Sequence, residues 1–75
     1  MLFVFARAVE VHVGRRLQTY REGRGLSREQ LARSVNVPEG RLARYEQGHR
    51  IPAKLMFEFG RIFDVTVASY FIRDD

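Results

Sequence analysis

Seventy-five residues with 45% hydrophobic content and six phenylalanines make one domain with a small core, and leave no room for a separate catalytic or ligand-sensing module. The absence of cysteine excludes disulfides, thiolate metal sites and thiol nucleophiles, and is compatible with a reducing cytoplasm. The net charge of +4 is concentrated: residues 15–50 carry nine arginines against four glutamates, whereas residues 51–75 carry three cations against four acids, so the charge points to a phosphate-bearing partner.

Residues 1–8 are read as an apolar extension and residues 9–75 as the domain proper. Leu2, Phe3, Val4 and Phe5 are β-prone but do not alternate with polar residues. They fit a loose leader, a strand pairing with a second copy, or an arm folded onto the domain. An exposed apolar run promotes aggregation, so a second copy of the chain is the expected cover, with Phe3 and Phe5 at the contact. The run is far too short to span a bilayer, and Arg7 follows it with no basic residue before it, so it makes a poor signal peptide. A soluble, cytoplasmic protein with no membrane partner is expected.

Over 11–22, Val13, Leu17 and Tyr20 describe one helix face, with Arg15, Arg16 and Gln18 opposite. Gly23 and Gly25 stop that helix, and Leu26 turns into the core. His12 is expected near the helix start, facing solvent or capping. No second ligand lies close to it in sequence, so no metal site is expected.

Residues 27–48 are the densest signal: SREQLARSVNVPEGRLARYEQG. Ser27 followed three residues later by Gln30 is a capping-box pattern that starts a helix. Leu31, Ala32 and Val35 recur on one face of it, and Ala32 is small where two helices would cross. Asn36 falls where the chain must turn, and asparagine tolerates the left-handed conformation. Pro38 opens a second helix over about 39–45, with Leu42 and Tyr45 facing back to the first and Gly48 ending it.

Pro52 opens a longer helix over about 53–63, with Leu55, Met56, Phe59, Ile62 and Phe63 as its buried stripe. Gly60 inside it is expected to admit a close neighbouring helix. Asp64, Val65 and Thr66 break the pattern, and Thr66 is expected to cap a last short helix carrying Val67, Tyr70 and Phe71. The prediction is five helices and no sheet, unless the N-terminus supplies an edge strand.

Two short helices joined by a tight turn form a helix-turn-helix. The pieces L-S-R-E-Q-L-A at 26–32, V-N-V at 35–37, Y-E-Q-G at 45–48 and Pro52 after a basic loop resemble the lambda-repressor-like, XRE family of DNA-binding domains. The resemblance runs from about residue 13 to residue 71. The opening V-E-V-H-V-G-R-R-L at 9–17 is also similar to small transcriptional regulators of alphaproteobacteria. The resemblance implies an all-α, five-helix lambda-repressor-like bundle, with double-stranded DNA as the partner.

In that architecture the second motif helix enters the major groove and the first crosses the backbone. With Leu42 and Tyr45 turned inward, Glu39, Gly40, Arg41 and Arg44 face outward. By the resemblance, Glu39, Gly40 and Arg44 match base-reading positions. Arg44 is the main expected reader, because a guanidinium grips guanine O6 and N7 bidentately. Arg41 can reach a base or a phosphate, and Glu39 serves the helix dipole or cytosine N4. Arg28 stands where the family usually has Gln and is expected to hold phosphate, as are Gln47, His49, Arg50 and Lys54. The resemblance further implies that Arg21 and Glu46 form a structural ion pair across the bundle. Pro38 replaces the Ser or Thr that usually opens the reading helix, and Gly40 offers no side chain where a reader is expected. Base specificity is therefore expected to fall on Arg44, Arg41 and DNA shape.

One such domain buries little surface, so a homodimer on a palindromic operator is expected, with Val67, Tyr70 and Phe71 joining the apolar leader at the dimer surface. The expected function is a transcriptional regulator in the bacterial nucleoid, a repressor rather than an activator because no activation module fits. The alternative is a protein-interaction module or antitoxin-type partner, motivated by the unusual face at Pro38, Glu39 and Gly40. No Ser/His/Asp set, phosphate loop or metal spacing appears, so neither an enzyme nor a cofactor is expected.

Overall fold

The long first helix is the surface on which the other elements are laid. A computed structural model describes residues 2–71, with side chains from residue 8 onward. Helix α1 (Leu2–Gly23) is followed by α2 (Arg28–Ser34), α3 (Glu39–Glu46), α4 (Ala53–Phe63) and a closing 3-10 helix (Val67–Phe71). The result is an all-α bundle consistent with a helix-turn-helix fold. It has four α-helices and a 3-10 turn among the described residues, where five α-helices were expected, and no strand.

Helix α1 differs most from expectation, beginning at Leu2 and not near residue 11. No glycine or proline interrupts residues 2–13, and Ala6, Arg7 and Ala8 are strong helix formers. An apolar run without periodicity suits a helix as well as a strand, and here the helix wins. The side chains of Phe3 and Phe5 lie outside the described residues. His12 consequently sits within the helix, half-buried, and not at its start.

Val13 and Leu17 of α1 meet Leu31, Ala32 and Val35 of α2, Leu42 and Tyr45 of α3, and Met56, Phe59 and Phe63 of α4 in one core. Leu55 and Ile62, expected inside, lie at its edge. The crossing of α1 with α3 is tight at Gly14. A Cβ there would stand 2.8 Å from the Glu46 carbonyl oxygen and closer still to that of Tyr45. Gly60 makes room for something other than the expected helix: its missing side chain admits the Val65 carbonyl oxygen, 2.7 Å from where a Cβ would lie. The chain folds back there because Asp64 adopts the left-handed conformation (φ 56°) and the Val65 N–H donates to the Gly60 carbonyl at 2.9 Å. Arg24 also reaches this helix end, donating to the Phe63 carbonyl at 3.0 Å.

The last five residues of the fold wind as a 3-10 helix. Thr66 serves it through its carbonyl, which accepts from the Ser69 N–H at 3.1 Å and the Ser69 hydroxyl at 2.7 Å. Tyr70 does not face a partner as expected. It is 0% exposed, edge-on to Tyr20 with ring centroids 5.2 Å apart, while Tyr20 donates to the Ser69 hydroxyl at 3.2 Å. The Tyr70 hydroxyl has no hydrogen-bond partner among the described residues.

Alanine is normally the better helix former by about 1 kcal/mol, yet Gly14→Ala must force two backbones apart. We expect a lowered thermal midpoint, reflecting an overpacking cost of about 1–3 kcal/mol; a raised midpoint would refute the close crossing. Burial pushes the Tyr70 phenol well above its ordinary value of 10.0. Its contribution to stability is therefore fully present below about pH 10 and lost as pH rises further, at up to about 1.4 kcal/mol per pH unit. Melting curves from pH 9 to 11 should show that fall, and Tyr70→Phe should flatten it.

Candidate nucleic-acid interface

The interface is built on α3, whose inner face fixes its outer one. Leu42, Tyr45 and Glu46 are buried, so at 100° per residue Glu39, Gly40, Arg41 and Arg44 are left exposed. The turn before α3 is set locally. Ser27 accepts from the Gln30 N–H at 3.0 Å and its own N–H donates to Gln30 Oε1 at 2.8 Å, so the expected capping box starts α2. Asn36 takes φ 59°, and the Val37 N–H donates to the Ala32 carbonyl at 3.0 Å, closing α2. Pro38 precedes α3 and supplies no side-chain cap, leaving Glu39 in the first turn to answer the positive helix end.

Beyond α3 the chain is held to the helix it leaves. The His49 N–H donates to the Arg44 carbonyl at 3.0 Å, and the Gly48 N–H to that of Tyr45 at 3.1 Å. Gly48 has φ 108° and lies against α1, where a Cβ would stand 2.8 Å from Val11 Cγ2. Glycine is required twice over, by conformation and by space. Gln47, His49, Arg50 and Lys54 are all exposed, as are Arg41 and Arg44 of α3. Gly40 contrasts with Gly14, Gly48 and Gly60: a Cβ there would meet nothing within 4 Å, so the fold gives no reason for its bare backbone.

Beneath this surface lies an ion cluster centred on Glu46, Arg21 and Arg28, with the exposed Glu22 at its edge 3.8 Å from Arg21. The Glu46 side chain is 1% exposed and receives Arg21 Nε at 2.6 Å and Arg28 Nε at 2.8 Å on its two oxygens. Arg21 also donates to the Leu26 carbonyl at 2.7 Å. The Arg21–Glu46 pair is where the resemblance put it. Arg28 is placed otherwise than as a simple phosphate ligand, because its Nε is committed to Glu46 while its side chain remains 42% exposed. The hydrogen bond and charge of Glu46 raise the Arg28 pKa further, so Arg28 stays a cation throughout. Nothing in local spacing announces this third member, since Arg28 and Glu46 are 18 residues apart. Among the described residues no three His, Asp or Glu side chains gather as a metal site, and no helix is long and apolar enough to cross a membrane.

Comparison with known proteins adds identity to this geometry. Residues 12–62 match the family model described as a helix-turn-helix domain. Two curated relatives, each an uncharacterized HTH-type transcriptional regulator, come from Sinorhizobium medicae and Rhizobium meliloti. Each is 30% identical over 64 residues, covering 84% of this chain and 46% of the relative. The chain thus spans about half the length of the curated relatives it matches. No solved structure matches it significantly.

Removing Glu46 leaves the buried Arg21 with only the Leu26 carbonyl and a long, exposed contact to Glu22 at 3.8 Å, so Glu46→Ala should cost about 3–5 kcal/mol and unfold or loosen the domain. Arg28→Ala breaks a pair that water already reaches and should cost no more than about 1 kcal/mol. Urea unfolding of both variants checks the difference. A stable, fully folded Glu46→Ala protein would overturn the structural role of the cluster.

Proposed function

Because the chain belongs to the helix-turn-helix domain family, within the XRE-type regulators related to those of alphaproteobacteria, we propose that it binds specific DNA sequences and regulates transcription, acting as a repressor in the nucleoid. The family is one of non-catalytic DNA-binding modules. The observation that carries the reading is the exposed row Arg41, Arg44 and Arg50 around a helix whose opposite face is locked into the core. In this reading α3 lies in the major groove. Arg44 reads guanine, Arg41 a base or phosphate, and Glu39 the helix dipole or cytosine. Gln47, His49, Arg50 and Lys54 hold one strand through its phosphates, aided by the amides that open α4. The outer guanidinium edge of Arg28 meets the other strand while Glu46 holds its Nε.

Gly40 fits the same picture. With no internal reason for glycine there, its use is to let the α3 backbone approach the base edges closely. Two copies on a palindromic operator supply the affinity that one small domain lacks. A second reading, a protein-interaction or antitoxin-type module, draws on the uncapped, acidic start of α3 at Pro38 and Glu39. It predicts little dependence of binding on salt and little on DNA sequence.

Fluorescence anisotropy with genomic fragments across a salt series tests these readings. DNA affinity should fall steeply with salt, and Arg50→Ala should weaken all sequences while lowering the log–log slope by about 0.9. Arg44→Ala should instead erase about 1–3 kcal/mol of discrimination between preferred and scrambled sites. Gly40→Ala should bind more weakly although its helix gains up to about 1 kcal/mol. A folded protein that leaves every fragment free in dilute buffer would overturn the proposal.

A further inference from the structure

The two guanidinium groups that meet Glu46 are used differently. Arg21 is committed on every side: Nε and Nη2 donate to Glu46 and Nη1 to the Leu26 carbonyl, and its side chain is 10% exposed. Arg28 donates to Glu46 through Nε alone, and its side chain stays 42% exposed. Its terminal nitrogens, Nη1 and Nη2, have no hydrogen-bond partner among the described residues. An exposed arginine ordinarily samples many rotamers, yet this one is tethered at its neck by a carboxylate that is 1% exposed. That carboxylate cannot follow a wandering partner, because Arg21 holds its other oxygen at 2.6 Å.

We propose that Glu46 is a positioning residue for DNA: it aims the Nη1 and Nη2 edge of Arg28 outward as a two-pronged donor to one backbone phosphate. This duty rests on the DNA-binding reading and adds to it, because positive charge at residue 28 is then not enough. A guanidinium is a flat fork that gives its neck to one anion and its tips to another. A lysine carries one compact ammonium on a flexible stem. In place of Arg28 it must choose between Glu46 and the phosphate, or draw the two anions together. Arg28 also surrenders side-chain freedom on folding, which leaves less to lose when DNA arrives. Glu46 is the last residue of α3, so the phosphate gripped by Arg28 is tied to the reading helix through one side chain.

Cutting away Glu46 would confuse its two duties, since the domain itself should loosen, so the test works from residue 28. Arg28→Lys keeps the charge and Arg28→Ala removes it. Both should stay folded with thermal midpoints near the wild type, because the pair they alter is open to water. Fluorescence anisotropy with a genomic fragment that the wild type binds compares the three proteins. Arg28→Lys should lose roughly tenfold or more in affinity, nearly as much as Arg28→Ala. Copies of that fragment with one phosphate at a time replaced by a neutral methylphosphonate give a readout that altered stability does not move. The wild type should weaken at a phosphate to which both variants are nearly indifferent. In the DNA-free protein, the Arg28 Nε–H should give a slowly exchanging NMR signal. A lysine variant that binds as tightly as the wild type overturns the positioning duty and leaves the regulatory reading standing. So does a rapidly exchanging Arg28 Nε–H, or a wild type and variants weakened by the same phosphates. A folded wild type that leaves every fragment free overturns both.

Discussion

One carboxylate holds the arrangement together. Glu46, at the last turn of α3, takes Arg21 from α1 on one oxygen and Arg28 from α2 on the other. Hydrophobic packing alone is tolerant of sliding, since Leu17, Leu31 and Leu42 could exchange neighbours at small cost. A buried carboxylate between two guanidinium groups is not tolerant, because displacement leaves charge without compensation in a region of low dielectric. The cluster therefore converts a greasy three-helix contact into a defined angle between α3 and the helices beneath it.

Much of the fold was legible because its signals are local. The Ser27–Gln30 box, the left-handed Asn36, the proline before each of α3 and α4 and the glycine after α3 act within one turn of where they stand. The bounds of α4 agree with the expected 53–63 for that reason. The expectations that moved depended on what lies across the molecule. Tyr70 was expected at a contact surface, and its burial rests on distant elements, among them Tyr20, 50 positions earlier, whose ring it meets edge-on. Gly14 reads as a weak spot in a helix until Tyr45 and Glu46 are laid over it. An apolar run at the start of a chain carries no period, so residues 2–5 alone did not distinguish strand from helix, and only the helix formers Ala6, Arg7 and Ala8 that follow tip the balance.

The candidate interface divides along the same line. The outward set Glu39, Gly40, Arg41 and Arg44 follows from the two inward residues Leu42 and Tyr45 and from helical geometry alone. Arg28 required more: its charge suggested a phosphate, and its distance to Glu46 gave it a second duty. Phe57 was legible only by omission: the buried stripe Leu55, Met56, Phe59, Ile62 and Phe63 leaves it out, and nothing local says whether another element covers it.

The tie between His49 and the Arg44 carbonyl, with Gly48 wedged against Val11, has a further consequence. On the proposed reading, the arm that would grip the sugar-phosphate rim and the probe that would enter the groove belong to one stiff jaw. Such a jaw has a fixed gape. It would neither close on a pinched groove nor stretch over a splayed one, so the duplex would have to come to the protein already near the right width. Sequences the side chains never touch would then be sorted by how cheaply they adopt that width.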